Sequence, residues 1–171
     1  MEVKMFNRSG QSAGKTSTSI WKIPSSYGWY LSGFADGEGS FNLSFTKRKD
    51  YRLRWKPDLS FNISQKDNTI PLLFQKILQC GEIRYRKDGV CYYEVRKVKD
   101  LYSIVIPFFK RFPLKSKSKK KVFFIFCEMT NLIMRKEHLT KKGICNLLKL
   151  RSKIHVGRKR KYSDIKIKKM L

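Results

Sequence analysis

The stretch from Trp29 to Phe41, WYLSGFADGEGSF, constrains the fold of this chain more than any other. Serines at positions 25 and 26 follow a proline and can cap a helix, so we expect a helix to begin near Tyr27. After Gly39 the pattern changes to alternation, with Phe41 on the apolar side, which predicts a strand. The stretch therefore predicts a helix that turns sharply into a sheet.

The end of this helix carries an unusual combination of glycines and acids. Gly33 and Gly37 are four residues apart, so they share one helix face and leave it without side chains. Each glycine costs a helix about 1 kcal/mol relative to alanine, which is understandable if another backbone packs there. Asp36 and Glu38 lie at the C-terminal end, where the helix dipole disfavours carboxylates. This placement predicts a bound cation.

Residues 31–39, LSGFADGEG, resemble the signature motif of the LAGLIDADG homing endonucleases. The resemblance implies a homodimer in which two copies of this helix pack together through their small residues. The interface residues that it implies are Leu31, Gly33, Phe34 and Gly37. It also implies that Glu38, at the eighth motif position, binds the catalytic divalent metal. The alternative is an ordinary helix–turn–strand corner with solvated acids.

The charge of the chain restricts its partners. Its 171 residues include 39 Lys and Arg against 13 Asp and Glu, a formal charge of +26. Such a charge favours a polyanion or an anionic membrane surface. No apolar run approaches the roughly 18–20 residues of a membrane-spanning helix, so we expect no membrane and favour nucleic acid.

The four cysteines lack the close spacing of a zinc site or a CxxC pair. We interpret them as buried, reduced thiols, which fits an intracellular compartment. The cytoplasm of a prokaryote and an organelle such as a mitochondrion or chloroplast are both compatible with this interpretation.

The remaining pattern predicts an α+β domain. Two alternating strands follow the first helix, then come a helix over 69–80, a hairpin around Asp88-Gly89, an apolar helical segment interrupted by Pro107, and a long helix from about Val122. We expect that long helix to bury Phe123 and Phe124. This order is αββαββα, which the family resemblance interprets as an antiparallel, saddle-shaped sheet with helices packed on one face. We predict a flexible basic arm over 1–22, the endonuclease domain over 23–150 and a basic tail over 151–171.

The resemblance also assigns chemical roles. Cleavage of a phosphodiester needs an activated water and neutralisation of charge, which divalent ions supply. Mg²⁺ prefers carboxylate and water oxygens, so Glu38 is the predicted ligand, with the Gly37 backbone carbonyl as a co-ligand. For Asp36 two roles stay open, namely metal ligand and brace of the helix end. We expect Mn²⁺ to substitute for Mg²⁺, and Ca²⁺ to bind without cleavage.

Two further catalytic roles follow from the resemblance. Gln65, after the second strand, resembles the polar residue that orients the attacking water. A lysine of FPLKSKSKKK is expected to stabilise the transition state, and Lys117 is the preferred candidate. Lys115 and Lys119 are the next candidates, and contact with DNA phosphates is the alternative role for each lysine.

The outer face of the sheet is predicted to read DNA in the major groove, which admits a β-ribbon. The candidates were chosen by alternation with the apolar face, and a merely solvated face is the alternative for each. They are Asn42, Ser44, Thr46, Lys47, Arg52, Arg54, Asn62, Ser64, Arg84 and Arg86.

Together these features predict a homodimeric, Mg²⁺-dependent, intron-encoded endonuclease that cuts double-stranded DNA. One motif per chain implies a two-fold dimer and hence a long pseudo-palindromic site, and the resemblance implies 3′ overhangs. Two alternatives share the fold: a splicing maturase that binds intron RNA, and a DNA-binding protein without catalytic activity.

Overall fold

Four strands form one antiparallel sheet in the computed structural model, which describes residues 17–154 and 160–171. The strands are β1 (Ser40–Lys47), β2 (Trp55–Gln65), β3 (Glu82–Tyr85) and β4 (Cys91–Val95), in the order β1-β2-β4-β3. Alternate residues of β1 and β2 are buried, while those between them are exposed or half-buried. The sheet therefore has one apolar face that packs against helices and one polar face. The predicted α+β fold and its αββαββα order are confirmed.

The helices are α1 (Ser25–Glu38), α2 (Thr69–Leu78), α3 (Val98–Asp100), α4 (Ile106–Arg111), α5 (Lys117–Met134), α6 (Lys141–Ser152) and α7 (Asp164–Lys169). None of those in the described ranges combines the length and apolar character that a bilayer crossing requires.

Aromatic rings fill the space between the sheet and the helices. The ring of Phe41 on β1 lies 5.0 Å from Phe61 on β2 and 5.1 Å from Phe126 on α5. Phe109 of α4 packs edge-on against both Phe41 and Phe61. Because these rings are fully or almost fully buried, they fix the distance of α4 and α5 from the sheet.

Helix α1 begins at Ser25, two residues before the predicted start, and neither serine caps it among the described residues. Gly28 instead donates a backbone hydrogen bond to the Pro24 carbonyl at 3.0 Å. One face of α1 is buried, and there the Ser32 hydroxyl donates to the Phe112 carbonyl at 2.7 Å. This bond fixes α1 against the segment that precedes α5.

We expect Gly28→Ala to destabilise the fold by about 1–3 kcal/mol, the usual cost of overpacking. A Cβ at this position would lie 2.2–2.5 Å from three atoms of the buried Phe112 ring. Gly33→Ala is the matched control, because a Cβ there meets nothing within 4 Å. Urea unfolding monitored by circular dichroism measures both variants. Equal stability of the two proteins would contradict the proposed packing.

Pro107 does not interrupt its helix. The chain runs through α3, a π-helical segment at Leu101–Val105 and α4 without a break. Proline lacks an N–H group and its ring clashes with the carbonyl four residues earlier in a regular α-helix. The wider π turns before Pro107 relieve that clash.

Helix α5 begins at Lys117, so the lysines from Lys117 onward belong to its first turns, while Lys115 precedes it. The Ser116 hydroxyl caps it by accepting from the Lys119 amide. Phe123 is buried as expected, but Phe124 is 70% exposed. Ile125 and Phe126 are buried instead. Phe126 shares a helix face with Phe123 at a spacing of three, whereas the neighbouring Phe124 points away from that face.

The predicted ends of the domain differ from the structure. Residues 1–16 lie outside the described residues, but Ser17–Lys22 forms a 3₁₀ helix with Ile20 buried, and Arg111 donates to its carbonyl. The boundary at residue 150 falls inside α6. Beyond it, Ile167 of α7 is fully buried, so this part of the basic tail packs on the domain.

Candidate active site

The acidic end of α1 lies where the helix turns into β1. Glu38 is the last residue of α1, its side chain is exposed, and it forms no ion pair with the part of the chain that the structure describes. Gly39 adopts an extended conformation, and its amide donates to the Ala35 carbonyl at 2.9 Å. A Cβ on Gly39 would lie 2.6 Å from that carbonyl oxygen, so the close turn requires glycine. The carboxylate of Glu38 is thus presented to solvent on a rigid support.

Asp36 braces the first turn of α5. Its carboxylate accepts hydrogen bonds from the Lys115 amide at 3.0 Å, the Ser116 amide at 2.8 Å and the Ser116 hydroxyl at 2.7 Å. The Ser116 amide is one of the backbone donors that an isolated helix leaves unsatisfied at its N-terminus. Of the two roles left open for Asp36, the structure supports the brace, because both carboxylate oxygens already accept bonds.

Partial burial alone would raise the pKa of Asp36, but the bonds from Ser116 and Lys115 and the charge of Lys119 outweigh it and lower the pKa below its ordinary value. Since the folded-state pKa is the lower one, the stabilisation is fully present above the unfolded pKa of about 3.9 and is lost as the pH falls through the folded value.

We therefore expect Asp36→Asn to reduce the free energy of unfolding by about 1 kcal/mol at pH 7, as for loss of a helix cap. The difference from wild type should shrink below about pH 4. Asp50→Asn is the control: the pKa of Asp50 is also lowered, by Arg48, but that pair is exposed on a loop and should contribute much less. Urea unfolding between pH 3 and 7 gives both curves. A difference that grows toward acid pH would contradict this assignment.

Lys119, rather than Lys117, reaches the end of α1. Its ammonium group donates to the Gly39 carbonyl at 2.6 Å and to the Gly37 carbonyl at 3.4 Å. Lys117 is exposed and has no hydrogen bond or ion pair to the residues described. Lys115 is also exposed, with its ammonium 4.7 Å from the Trp29 ring. The structure therefore brings Lys119, and not Lys117, to the end of α1. The catalytic role of a lysine in this run stays a prediction.

Gln65 lies at the same end of the sheet. It is the last residue of β2, half-buried, and pairs with Cys91 of β4. Ser40, two residues after Glu38, pairs with Asn62. Gln65 is three residues beyond Asn62, roughly 10 Å along the strand. The role predicted for Gln65 stays a prediction.

The exposed face of α1 is nearly bare. Gly33 and Gly37 are exposed, and a Cβ on either would meet nothing within 4 Å. Phe34 is half-buried and Tyr30 is 55% exposed beside them. Leu31, however, is fully buried in the core of its own chain, so it lies on the opposite side of α1 and is not available to a partner.

The predicted DNA-reading residues divide into two groups. The polar face of β1 and β2 holds Asn42, Ser44, Thr46, Asn62 and Ser64, while Lys47, Arg52, Arg54, Arg84 and Arg86 are exposed around it. Several of them are held by acids. Thr46 donates to Asp58 at 2.7 Å, Arg84 lies 3.4 Å from Glu94, and Arg86 lies 2.9 Å from Asp88.

The sequence interpretation missed Lys56 and Arg96 on this face. Lys56 pairs with Asp58 at 2.8 Å, and Arg96 lies 3.9 Å from the same carboxylate. Alternation could have found both, since Lys56 stands between the buried residues Trp55 and Pro57, and Arg96 follows Glu94 at a spacing of two. Their charges make the sheet face a network of cations held in place by two acids.

The residues at the end of α1 fit a divalent metal only in part. The cradle of two carbonyls already attracts a cation, the Lys119 ammonium, and the Glu38 carboxylate is free beside it. Yet the described residues contain no group of three or more His, Cys, Asp or Glu that could hold a metal. Oxygens from a second chain or from a phosphate would have to complete the coordination.

A family model described as LAGLIDADG endonuclease matches residues 31–130, which begin at the first residue of the motif on α1. The chain belongs to the LAGLIDADG endonuclease family. It carries one copy of the motif, so the suspected single-motif membership is confirmed. Its resemblance to the family extends from α1 into α5.

Known LAGLIDADG proteins resemble the chain in sequence and in structure. The probable intron-encoded endonuclease 3 of Neurospora crassa is 32% identical over 133 residues, which cover 75% of the chain and 25% of that protein. The chain thus spans about a quarter of the length of this relative.

Two solved structures share the fold. The archaeal intron-encoded homing endonuclease I-Vdi141I complexed with DNA is 26% identical with a TM-score of 0.75, covering 84% of the chain and 92% of that protein. I-SmaMI bound to an uncleaved DNA target in the presence of calcium ions is 26% identical with a TM-score of 0.72. This match covers 77% of the chain and 46% of I-SmaMI.

Proposed function

We propose that this LAGLIDADG chain is a site-specific homing endonuclease that cuts double-stranded DNA as a homodimer with a divalent metal. The observation that carries the proposal is the end of α1, where an exposed carboxylate, Glu38, stands beside a bare glycine face and a basic residue, Lys119. The DNA in the structures of I-Vdi141I and I-SmaMI supports the choice of substrate.

Each side chain at the site has a distinct role in the proposal. Glu38 would hold the metal together with the Gly37 carbonyl. Asp36 fixes the position of α5 and does not contact the metal. Gln65 orients the attacking water, and Lys119 neutralises charge on the scissile phosphate. Bound Mg²⁺ would activate the water and stabilise the leaving oxygen. Mn²⁺ is expected to substitute, whereas Ca²⁺ should bind without supporting cleavage. The structure of I-SmaMI bound to an uncleaved DNA target in the presence of calcium ions offers a parallel.

The polar face of the sheet would lie in the major groove. Arginines there can donate two bonds to guanine, and asparagines can pair with adenine. Arg84 and Arg96 lie 3.4 Å and 4.0 Å from the Glu94 carboxylate, so both guanidinium groups are near one another on this face. The formal charge of +26 indicates that phosphate contacts supply much of the affinity, which should fall steeply with salt.

The single motif requires two chains for two cuts. Two α1 helices packed through Gly33 and Gly37 would bring two Glu38 carboxylates together at the dimer axis, with Phe34 at the margin and Leu31 left in each core. Two-fold symmetry then implies a long pseudo-palindromic target, and we expect 3′ overhangs. An intron-bearing genome in an organelle or a prokaryote would be the setting.

Cleavage of a large duplex library with Mg²⁺, followed by sequencing of the cut ends, tests this function. We expect ends that converge on one long pseudo-palindrome with 3′ overhangs. Ca²⁺ in place of Mg²⁺ is the control and should leave the library intact. Absence of cleavage with selective retention of intron RNA would support the maturase alternative instead, and retention of one duplex sequence would support a non-catalytic DNA-binding protein.

A further inference from the structure

The ammonium group of Lys119 occupies the oxygens that frame Glu38. It donates to the carbonyls of Gly37 and Gly39, the two residues on either side of Glu38, at 3.4 Å and 2.6 Å. Lys119 is half-buried, and the hydrogen bond that it donates to the Gly39 carbonyl is part-buried. Because the C-terminal end of a helix carries partial negative charge, a cation is favoured there.

This contact is incompatible with a metal on the same oxygen. Mg²⁺ binds oxygen at about 2.0–2.1 Å and demands nearly ideal octahedral geometry. An ammonium that donates to the Gly37 carbonyl would then lie within a few ångströms of a doubly charged ion. Two cations at that distance repel each other strongly, because charges in a partly buried site are screened less than charges in bulk water.

We propose that Lys119 and the divalent metal exclude each other from the Gly37 carbonyl, so that Lys119 acts as an exchangeable internal cation of the site. This inference rests on the proposed function, because it takes Glu38 and Gly37 as metal ligands. Without metal the ammonium neutralises the end of α1. When metal binds, the ammonium leaves the carbonyls, and a DNA phosphate is the anion that can receive it.

The exchange links metal affinity to DNA. The displaced ammonium finds no free carboxylate at Asp36, whose two oxygens accept bonds from Lys115 and Ser116. A phosphate at the site would lower the cost of displacement, and coupling of this kind is reciprocal. The metal should therefore bind weakly to the protein alone and more tightly in the presence of duplex DNA.

Binding of Mn²⁺ to the full-length protein, followed by the electron paramagnetic resonance of the free ion, tests the exchange without any cleavage assay. In the absence of DNA, we expect Lys119→Met to bind Mn²⁺ about 10-fold more tightly than wild type, within the roughly 5–150-fold range of coupled sites. Lys117→Met is the matched control. It removes the same charge from an exposed side chain two positions before Lys119, and it should change the Mn²⁺ affinity by less than about 2-fold.

A non-specific duplex should tighten Mn²⁺ binding to wild type and have a smaller effect on Lys119→Met. Thermal unfolding by circular dichroism checks that each variant is folded; if Lys119→Met is not, Lys119→Gln serves in its place. Equal Mn²⁺ affinity of wild type and the folded Lys119 variant would overturn the exchange. If Glu38→Gln leaves Mn²⁺ binding unchanged, the metal site itself is wrong, so the two failures are distinguishable.

Discussion

Glu38→Gln should abolish DNA cleavage while leaving the fold unchanged. The substitution keeps the shape of the side chain and removes the only free carboxylate at the described end of α1. A metal ligand contributes several kcal/mol to a phosphodiester transition state, and every 1.36 kcal/mol is a factor of ten, so we expect a loss of at least about 1,000-fold. Single-turnover cleavage of the selected target at saturating protein measures it.

Asp36→Asn is the matched control for this experiment, because it removes a second carboxylate from the same helix end. It should lower stability and, because Asp36 acts only by positioning α5, slow cleavage by far less than Glu38→Gln does below its unfolding temperature. Glu38→Gln should retain DNA affinity and the thermal midpoint of wild type. Cleavage by Glu38→Gln at the wild-type rate would show that Glu38 is not a metal ligand.

Substitutions at Gly33 should have opposite effects on the chain and on its dimer. In the single chain a Cβ at Gly33 meets nothing within 4 Å, and alanine or leucine improves helix propensity by up to about 1 kcal/mol. In a dimer packed through this face, the same side chain would hold two backbones apart. We therefore expect Gly33→Leu to unfold at a higher denaturant concentration as a monomer, to dissociate at least about 10-fold more readily and to lose double-strand cleavage.

Sedimentation over a range of protein concentrations measures the dissociation of the dimer. We expect Gly33→Ala to have a smaller effect in the same direction. Gly28→Ala is a useful contrast, since it should weaken the fold by overpacking Phe112 rather than act on the partner. A Gly33→Leu protein that dimerises and cuts like wild type would exclude this face of α1 as the interface.

The elements that could be predicted from the sequence are those whose signal is local. Alternation of apolar residues identified β1 and β2, and the glycines and acids of α1 identified the end of the helix and its open face. These patterns depend on residues two to four positions apart. They are sufficient for the sheet and for the placement of Glu38.

The details that could not be predicted depend on contacts between distant residues. Asp36 and Ser116 are 80 positions apart, yet their hydrogen bond holds the N-terminus of α5 beside the end of α1, where Lys119 reaches the Gly39 carbonyl. A run of lysines gives no local reason to begin a helix, so the sequence alone favoured Lys117. In the same way, nothing in the strongly basic sequence around Ile167 predicts that this residue is buried against the domain.

The C-terminal residues have a consequence for how the sheet can associate. Strand β1 is at an edge of the sheet, where an unpaired backbone invites another strand to join. Arg151 lies over the Phe45 ring at 4.7 Å and Tyr162 packs on Trp55 at 5.0 Å, so the end of the chain stands beside β1. The other edge, β3, is only four residues long and carries Glu82 and Arg84. A chain end beside one edge and a short, charged strand at the other both disfavour strand addition and fibril growth.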